Sequence, residues 1–370
     1  MRSSVVLLLI LSVLVFPEII KSDDIAIWAS SHSKESFSFV VFGDSRPVAW
    51  MGPIPKAFLE RVFKEISWIR PDFIIHLGDI IYGFHEPSSR IDKEYEEFIK
   101  VYEENAGDVP LLLIPANHEL QPSDHSFEKF KELFGNLLYY DFTFGRAHFI
   151  VLNTNFPSSM GGGKGRYALI NANDGHHEKA MMDWFCEVLE KPASLRFLIT
   201  HVPKFSIEGE KPYQNANEDF MKKILVKVDA YFAAHRHFLY ESEKDGTKLF
   251  ILGSGGAPLD RLPYACGPQG TFAYMLVEVQ GERVSYKTLV PFSIDVTQEE
   301  NQIIVSNFSP YDLTLRGVDV PSMSVKAFLV REKMKIPIPV RVKVEEAGGR
   351  CYVTIELPRR SYVILKSPND

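Results

Sequence analysis

The sequence predicts an α/β protein with buried parallel strands, followed by a small all-β region. Six short runs rich in Val, Ile, Leu and Phe are each followed at once by Gly, Asn, Asp, His or Pro. A strand that is buried on both faces has this pattern. Amphipathic helical segments lie between the runs, as in successive βαβ units. From residue 292 onward the pattern changes to period-two alternation, which is typical of half-buried strands.

The six runs end on polar residues that are able to bind a metal. They are Phe37 to Asp44, Asp72 to Asp79, Pro110 to Asn117 and His118, His148 to Asn153, Arg196 to His201, and Ala230 to His235 and His237. In open α/β sheets the ligand crevice lies outside the carboxyl ends of the strands, so we expect these side chains to converge there. Their carboxylate, amide and imidazole groups form a mixed oxygen and nitrogen set. Such a set suits borderline divalent or trivalent first-row metals and has too many nitrogens for magnesium or calcium.

The spacing of apolar residues predicts the remaining helices and strands. Helical periodicity predicts helices over Pro55 to Arg70, Glu94 to Glu104, Phe127 to Phe134, His177 to Glu190 and Asn217 to Val228. Three later strands, Lys248 to Gly253, Tyr274 to Val279 and Arg283 to Val290, are joined by segments without helical pattern, which predicts antiparallel or mixed pairing. The long glycine-rich loop from Asn155 to Asp174 lies beside the predicted site. It lacks the Walker spacing of a phosphate cradle.

Composition limits the possible classes of protein. The chain has 370 residues, of which 45% are hydrophobic and 24% charged, so it can form one large domain and a small one. A net charge of −7 argues against sequence-independent binding of nucleic acid, which needs a basic surface. The three cysteines, Cys186, Cys266 and Cys351, are scattered and odd in number. They do not describe a disulfide framework, and we expect them to be thiols in the core.

Residues 1–22 have the features of an export signal. Arg2 is positively charged, Val5 to Phe16 form an apolar core, and Ser22 is a small residue suited to cleavage. We therefore expect an exported protein, whether secreted, periplasmic or on the cell surface. An uncleaved membrane anchor is the alternative, although the apolar run is shorter than the roughly 20 residues of a spanning helix. Contact with a membrane is expected only in that case.

Five sequence blocks resemble those of a known family. They are Gly43-Asp44, Gly78-Asp79-Ile80-Ile81-Tyr82, Ala116-Asn117-His118-Glu119, Thr200-His201 and Ala234-His235-Arg236-His237. Together they resemble the calcineurin-like metallophosphoesterases, and the tyrosine three residues after Asp79 resembles the purple acid phosphatase branch. Ala116 and Ala234 stand where glycine is common in the family. The resemblance covers residues 37–290 and implies a four-layer α/β/β/α metallophosphoesterase sandwich, with residues 292–370 as a C-terminal β domain of unknown role.

The resemblance also implies a dinuclear metal centre. Asp44, Asp79, Tyr82 and His237 would hold the first metal, and Asp79, Asn117, His201 and His235 would hold the second. Asp79 would then bridge the two ions, which such carboxylates hold about 3.5–4 Å apart. Because a phenolate favours Fe(III), the implied pair is Fe(III) with Zn(II), Mn(II) or Fe(II). His118 is a candidate catalytic residue that would orient the substrate or protonate the departing alcohol.

The first block departs from the wider family. Many members have Asp-x-His there, whereas this chain has Asp44-Ser45-Arg46 and so lacks one imidazole ligand. The purple branch also lacks that histidine and uses a tyrosinate in its place, which agrees with Tyr82. Arg46 is the second candidate catalytic residue. It would either bind a substrate phosphate or neutralise a nearby carboxylate, and the sequence leaves both open.

The resemblance implies hydrolysis of small phosphomonoesters by attack of a metal-bound hydroxide, with no nucleic acid as partner. Two alternatives stay open. One is a phosphodiesterase acting on nucleotides or phospholipid head groups. The other is a surface binding module in which the phosphoesterase fold has lost its activity because Arg46 is present. Among the remaining histidines, we expect His76 and His148 to be in the core, and His85, His125, His176 and His177 to lie in loops that could rim the pocket.

Overall fold

The structure is a computed structural model that describes residues 18–47, 52–84, 88–156, 176–207, 217–260, 270–331 and 338–367. Chain contacts divide it into two compact units. Glu18–Ile294 form the first, and the second includes Asp295–Asp370. Every candidate metal ligand lies in the first unit.

The first unit contains a five-stranded sheet built around the start of the predicted βαβ pattern. Its strands are β1 (Ser36–Phe42), β2 (Phe73–His76), β3 (Leu111–Leu113), β10 (Tyr274–Gln280) and β11 (Arg283–Leu289), in the order β11-β10-β1-β2-β3. The strands β1, β2 and β3 are parallel, and β10 runs antiparallel to both β1 and β11. The mixed pairing predicted for the later strands is therefore confirmed in this sheet.

A second, six-stranded sheet carries the other half of the parallel strands. It consists of β4 (Tyr140–Phe144), β5 (Ala147–Val151), β6 (Leu195–Ile199), β7 (Ala230–Ala233), β8 (Leu239–Lys244) and β9 (Thr247–Leu252), in the order β4-β5-β6-β7-β9-β8. The four central strands are parallel, and β4 and β8 add antiparallel edges. Neither β4 nor β8 was predicted from the sequence.

The two sheets pack face to face through aromatic side chains. Phe39 of β1 stacks on Phe73 at 5.3 Å between ring centroids, and it contacts Phe149 of β5 edge-on at 5.4 Å. Phe197 and Phe232 of the second sheet join the same cluster of buried residues. Rings of this size bury large apolar areas and prefer offset or edge-on contacts. The hydrophobic core of the unit therefore lies between the sheets.

Helices cover the outer faces of both sheets. On the first sheet lie α2 (Lys56–Ile69) and α3 (Ser89–Ala106), whose Phe63 and Phe98 contact Phe42 and His76. On the second lie α6 (His176–Leu189) and α7 (Glu218–Ile224), which contribute Phe185 and Phe220 respectively to the cluster that packs on it. The predicted four-layer α/β/β/α sandwich is thus confirmed.

Helix ends differ from the prediction by a few residues. Helix α3 is longer than Glu94 to Glu104 at both ends, and α5 (Asp124–Phe134) begins earlier than Phe127 because the side chain of Ser123 accepts a hydrogen bond from Ser126 N. Helix α7 ends four residues before Val228, since Val226 has a φ of 61° that an α-helix excludes. Two short helices, α1 (Ile25–His32) and α4 (Asn117–Leu120), were not predicted.

Residues 18–22 belong structurally to this first unit. Ile20 N donates to Leu111 O at 2.8 Å, Leu111 N donates to Glu18 O at 2.9 Å, and Ile20 is only 3% exposed. Ser22 Oγ accepts a hydrogen bond from Leu137 N at 3.0 Å. Residues 1–17, which hold most of the predicted export signal, lie outside the described part of the chain. Within the described ranges, no helix combines the length and apolar character needed to cross a membrane.

The second unit is built from strands, as the period-two pattern predicts. They are β12 (Ile294–Glu299), β13 (Gln302–Asn307), β14 (Leu313–Val320), β15 (Lys326–Arg331), β16 (Ile338–Val340), β17 (Lys343–Ala347), β18 (Arg350–Leu357) and β19 (Ser361–Lys366). They form sheets of order β12-β13-β19-β15-β16 and β14-β18-β17. The prediction of core thiols was wrong for Cys186, which is exposed, while Cys351 is half-buried and Cys266 is outside the described residues.

Candidate metal centre

The candidate ligands follow the strands in an unusual backbone conformation. Asp44, Asp79 and His235 have φ values of 59°, 59° and 67°, in the left-handed region that non-glycine residues seldom adopt. Asp44 N donates to Gly78 O at 3.0 Å, which joins the turns after β1 and β2. Strained backbone of this kind persists where the surrounding structure holds it, and it concentrates at functional sites.

Glycines allow these turns to approach one another closely. A Cβ atom on Gly253 would lie 2.2 Å from Arg236 O and 2.4 Å from Asp44 Oδ2. A Cβ on Gly78, whose φ is 87°, would lie 2.3 Å from the methyl group of Ala116. Ala116, the departure from the family pattern, is therefore accommodated by the glycine opposite it.

One group of candidate ligands consists of Asp44, Asp79 and His237, whose ligand atoms all lie within 4.8 Å of one another. His237 Nε2 lies 3.4 Å from Asp44 Oδ1. The other ring nitrogen, Nδ1, donates to Pro258 O at 2.7 Å. This hydrogen bond fixes the tautomer and leaves Nε2 available as a ligand, an arrangement common in metal sites.

A second group consists of Asp79, His201 and His235, again within 4.8 Å. His201 Nε2 lies 3.3 Å from Asp79 Oδ1 and 2.9 Å from Asn117 Oδ1. His235 Nδ1 lies 3.1 Å from the same amide oxygen. His201 Nδ1 donates to Leu77 O at 2.7 Å, so its Nε2 faces the centre. Asp79 is common to both groups, which is the position that the sequence assigned to a bridging carboxylate.

The donor set fits cations. Asp44 Oδ1 is buried and accepts no hydrogen bond from any described residue. Around it and Asp79, the inward-facing atoms are carboxylate oxygens, an amide oxygen and imidazole nitrogens, all of which accept unless an imidazole becomes protonated. Two positive ions between these acceptors would satisfy all of them, so the residues present fit a dinuclear centre.

The pKa shifts of the buried ligands also indicate a site that binds positive charge. Burial disfavours the charged form of His201, but the carboxylates of Asp79 and Asp44 prevail and raise its pKa to about 9. Burial likewise opposes the charged form of Asp79, yet the charges of His118 and His201 hold its pKa well below the usual value. Burial raises the pKa of Asp44 and lowers that of His235. Buried carboxylates of this kind require nearby positive charge.

His118 lies at the centre outside both ligand groups. Its backbone N donates to Asp79 Oδ1 at 3.2 Å, and its Nδ1 donates to Tyr82 O at 2.6 Å. Nε2 is 3.8 Å from Asp79 Oδ2. Burial lowers the pKa of the imidazole to about 4, against the opposing effect of Asp79. The ring is therefore fixed with Nε2 towards the predicted bridging carboxylate.

Arg46 and Tyr82 lie together beside the same carboxylate. Arg46 Nε is 3.8 Å from Asp79 Oδ2, and its guanidinium carbon is 5.8 Å from the centroid of the Tyr82 ring. The Tyr82 ring also lies 5.6 Å from that of His118. The structure thus brings both residues to the centre. A bond from Tyr82 to a metal stays a prediction.

Two glutamates that the sequence reasoning did not single out hold the loop after β2. Glu119 accepts hydrogen bonds from Asp79 N at 3.1 Å and Ile80 N at 2.7 Å. Glu94 accepts from Tyr82 N at 2.9 Å. Both side chains are buried, and burial, together with the charge of Asp79, raises the pKa of Glu119 to about 8. The position of Glu119 next to Asn117-His118 was a usable signal, whereas Glu94 resembles any glutamate on an amphipathic helix.

The other histidines are distributed as follows. His76 is buried, with Nε2 2.9 Å from Ser45 Oγ, and His148 is buried, with Nε2 2.8 Å from Asp141 Oδ2, so both lie in the core as expected. His125 is paired with Asp92 on the surface of α5. The side chains of His85, His176 and His177, and residues 157–174 of the glycine-rich loop, lie outside the described part of the structure.

Comparison with known proteins identifies the family. The model of the calcineurin-like phosphoesterases matches residues 37–239. A segment of acid phosphatase type 7 from Danio rerio is 31% identical over 121 residues, which are 31% of this chain and 25% of that protein. A segment of the DNA double-strand break repair protein Mre11 from Methanococcus maripaludis is 36% identical over 103 residues, 27% of this chain and 26% of the relative. The chain therefore spans about a quarter of each of these curated relatives.

Among solved structures, the purple acid phosphatase PPD1 from yellow lupin (Lupinus luteus) seeds superposes with a TM-score of 0.53 at 13% identity. The superposition covers 75% of this chain and 52% of the lupin protein. At that identity the likeness concerns the fold alone. The family model, in contrast, matches more than half of the chain and includes all the candidate metal ligands. The chain belongs to the calcineurin-like phosphoesterase family.

Proposed function

We propose that this protein is a dinuclear metal-dependent phosphoesterase that hydrolyses small phosphomonoesters, as an acid phosphatase does. The observation that carries this proposal is Asp79, a buried carboxylate shared by two groups of candidate ligands. Family membership and the likeness to a segment of acid phosphatase type 7 support it. We do not extend nucleic-acid binding from the similar segment of a DNA repair protein to this chain, because a net charge of −7 disfavours binding to a polyanion.

In this proposal the ligands divide as the family resemblance implies. One ion is held by Asp44, Asp79, Tyr82 and His237, and the other by Asp79, Asn117, His201 and His235. When bound, the pair would polarise a phosphoryl oxygen and acidify a water molecule at neutral pH. A tyrosinate ligand would favour Fe(III), with Zn(II), Mn(II) or Fe(II) as its neighbour.

His118 would act on the substrate. Because Nδ1 is held by Tyr82 O, the ring presents Nε2 to the space beside Asp79. A phosphate dianion placed there would raise the pKa of the imidazole from about 4 and so favour the protonated form. The ring could then donate its proton to the departing alkoxide, as a general acid does.

Arg46 would neutralise charge at the centre. Its Nε is 3.8 Å from Asp79 Oδ2, and the side chain is only 16% exposed. Its position favours the second of the two roles left open by the sequence, which is compensation of a buried carboxylate. In that role Arg46 would stabilise the buried carboxylate and would weaken metal binding as long as it stays close to Asp79.

Metal analysis and a substrate panel on one sample test the proposal. We expect two metal ions per chain and faster hydrolysis of monoesters than of diesters. A clear preference for nucleotide or head-group diesters would establish the phosphodiesterase alternative. Protein with neither metal nor activity would establish the inactive binding module. Fractionation of the source cells would test export, which the sequence of residues 1–22 suggests.

A further inference from the structure

His76, the last residue of β2, is a core histidine that is hydrogen-bonded to the turns of the metal centre. Its Nε2 lies 2.9 Å from the hydroxyl oxygen of Ser45, and its Nδ1 accepts a hydrogen bond from Gly78 N at 3.2 Å. Ser45 directly follows Asp44, and Gly78 directly precedes Asp79. Both ring nitrogens therefore contact residues adjacent to the two carboxylates of the candidate first metal site.

The contacts of His76 fix the tautomer of its ring. Because Nδ1 accepts the N–H of Gly78, it holds no proton, and the single proton of the neutral ring lies on Nε2. Burial lowers the pKa of the ring to about 3, although the charge of Asp79 opposes this effect, so the imidazole is neutral. Nε2–H therefore donates to Ser45 Oγ, which links β2 to the turn after β1.

Packing fixes the position of the same ring. His76 is fully buried, and its ring lies edge-on to Phe42 of β1 and to Phe98 of α3, with centroid distances of 4.7 Å and 5.3 Å. A side chain packed in this way changes rotamer only if its neighbours move as well. Nε2 is therefore a fixed point to which the turn after β1 is attached.

The two turns carry strained backbone that needs such support. Asp44 and Asp79 both have a φ of 59°, which persists only where several contacts hold it. Two backbone hydrogen bonds of 3.0 Å join the turns, from Asp44 N to Gly78 O and from Ser45 N to Asp79 O. The bond from His76 to Ser45 adds a side-chain link between the same turns. The separation of the two carboxylates therefore depends on this link.

Core packing by itself does not account for a histidine at this position. A phenylalanine would place a ring between Phe42 and Phe98, but it would offer no acceptor to Gly78 N and no donor to Ser45 Oγ. Loss of a buried hydrogen-bond partner is unfavourable. The polar atoms of the imidazole thus act on the two turns, while its ring fills the core.

We propose that His76, acting through Ser45, is a positioning residue that sets the separation of the Asp44 and Asp79 carboxylates and thereby the affinity of the first metal site. The proposal rests on the dinuclear centre of the proposed function, although not on its reaction. Asp44 belongs to the first group of candidate ligands alone, whereas Asp79 belongs to both groups. Loss of the link should therefore weaken binding of the first ion more than that of the second.

Titration of the full-length, chelator-treated protein with Zn(II) alone tests the proposal. Calorimetry gives a dissociation constant for each ion, and Asp44→Asn identifies the one that belongs to the first site. We expect His76→Phe and Ser45→Ala each to weaken the first ion by about 10–100-fold, as changes behind metal ligands typically do. Unchanged dissociation constants in either folded variant would overturn the proposal.

A double variant tests whether His76 acts through Ser45. Because both changes break the same hydrogen bond, the chain with His76→Phe and Ser45→Ala together should bind the first ion no more weakly than the weaker of the two single variants. Additive losses would show that the two residues act separately and would overturn the link.

Two amide variants separate the hydrogen bonds of the ring. The amide of His76→Gln can place an N–H near the position of Nε2, so we expect this variant to keep most of the zinc affinity. The shorter amide of His76→Asn reaches only the position of Nδ1 and should not. The reverse order would assign the effect to the bond from Gly78 and overturn the role of Ser45.

A matched control separates positioning from a general loss of stability. His148 is also a buried strand histidine, it is bonded to Asp141, and it belongs to neither group of candidate ligands. We expect His148→Phe to keep both zinc dissociation constants, and thermal unfolding of the metal-free proteins compares their stability. Equal weakening of the first ion in His148→Phe and His76→Phe would overturn the proposal. If His76→Phe fails to fold, the smaller change Ser45→Ala decides the zinc titration.

Turnover of phosphomonoesters by the same preparations separates this inference from the proposed function. A wild type that binds zinc with an affinity dependent on His76 but hydrolyses no phosphomonoester would contradict the proposed function and support the positioning role. Hydrolysis by a wild type whose zinc affinity is the same as that of His76→Phe and Ser45→Ala would support the proposed function and overturn the positioning role.

Discussion

At the scale of single residues, the centre depends on buried acceptor groups that gather around the carboxylate of Asp79. Asp79 lies 3.3 Å from His201 Nε2 and 3.8 Å from Arg46 Nε, and it accepts the backbone N–H of His118. Although burial opposes it, positive charge on neighbouring side chains favours the ionised form of its carboxylate and keeps its pKa well below the usual value. The same carboxylate is the group that two metal ions would share.

Replacing that carboxylate should remove both metals. We expect Asp79→Ala to bind fewer than about 0.2 metal ions per chain and to lose nearly all turnover, because no other ligand is common to the two groups. Elemental analysis after gel filtration provides the measurement, and Asp141→Asn, on the edge strand β4 where its carboxylate pairs with His148 and Lys191, is the control. Two metals per chain in Asp79→Ala would show that the bridging assignment is wrong.

His118 should affect chemistry more than metal binding. We expect His118→Ala to keep both metals and to slow hydrolysis by about 10²–10⁴-fold for poor leaving groups, since a general acid matters most when the leaving alkoxide is basic. Rates for alkyl and nitrophenyl esters measure this dependence. Equal slowing of both esters would exclude the role as acid and leave only the orientation of substrate.

Tyr82 decides between the purple branch and the broader family. A phenolate bound to Fe(III) gives a visible charge-transfer band, so we expect the iron-loaded protein to be coloured and Tyr82→Phe to be colourless with an unchanged fold. Absorption and circular dichroism spectra test this, with Tyr139→Phe, a tyrosine that packs on Trp184, as the control. A band that persists in Tyr82→Phe would remove the tyrosinate assignment.

At the scale of elements, turns position the site more than strands do. The loop after β2 is held by Glu119 and Glu94 through four backbone N–H groups, which places Asp79 and Tyr82 on either side of its bend. Helix α4, only four residues long, begins at Asn117 and turns that side chain towards His201. Both features depend on contacts between segments that are distant in the chain: Asp79 N bonds to Glu119, 40 residues away, and His201 contacts Asn117, 84 residues away.

The segment before α1 should stabilise the first unit. A chain that begins at Asp23 loses the buried side chain of Ile20 and the backbone pairing with Leu111. We expect its free energy of unfolding to be at least about 3 kcal/mol lower than that of a chain beginning at Glu18, because it lacks one buried isoleucine and the hydrogen bonds to Leu111, Phe134 and Leu137. Chemical denaturation of the two chains gives the difference.

The packing of residues 18–22 also predicts where an N-terminal signal would be cleaved. If the N-terminal segment is removed on export, the mature chain should begin at or before Glu18, because cleavage after Ser22 would delete a paired segment. N-terminal sequencing of the exported protein would identify the first residue. Equal stability of the two chains, with a mature terminus at Asp23, would show that residues 18–22 do not contribute.

At the scale of the whole molecule, the first unit joins two sheets whose parallel strands end at one edge. The ligands come from both sheets, with Asp44, Asp79 and Asn117 following strands of the first and His201, His235 and His237 following strands of the second. A metal pair would therefore link the two halves of the unit. Binding of this kind stabilises the folded state by mass action.

Metal removal should accordingly lower the stability of the whole first unit. We expect chelation to reduce the melting temperature by several degrees, because a ligand at about 100-fold its dissociation constant contributes about 2.7 kcal/mol. Calorimetry before and after chelation measures the change, and restored metal should reverse it. An unchanged melting temperature, together with proven metal loss, would contradict a centre that links the sheets.

The sequence by itself determined the family, the layer order and the candidate ligands. Strand-end polar residues and five ordered blocks are local signals, since a strand's hydrophobic run and the residue after it are contiguous in the chain. Helix ends such as that of α7 were less predictable because they depend on a single backbone angle at Val226.

Only the tertiary structure decided which residues meet. It divided the strands of the first unit between two sheets and placed Arg46 against Asp79 and Tyr82. It also brought Glu94 and Glu119 against the backbone of the loop after β2. It further showed that Asn153, Asn155 and Lys204 are buried with side-chain donors that no described residue accepts, although nothing in their local sequence distinguishes them. The physical reason is that burial and hydrogen-bond pairing are properties of the space around a side chain, and segments distant in sequence create that space.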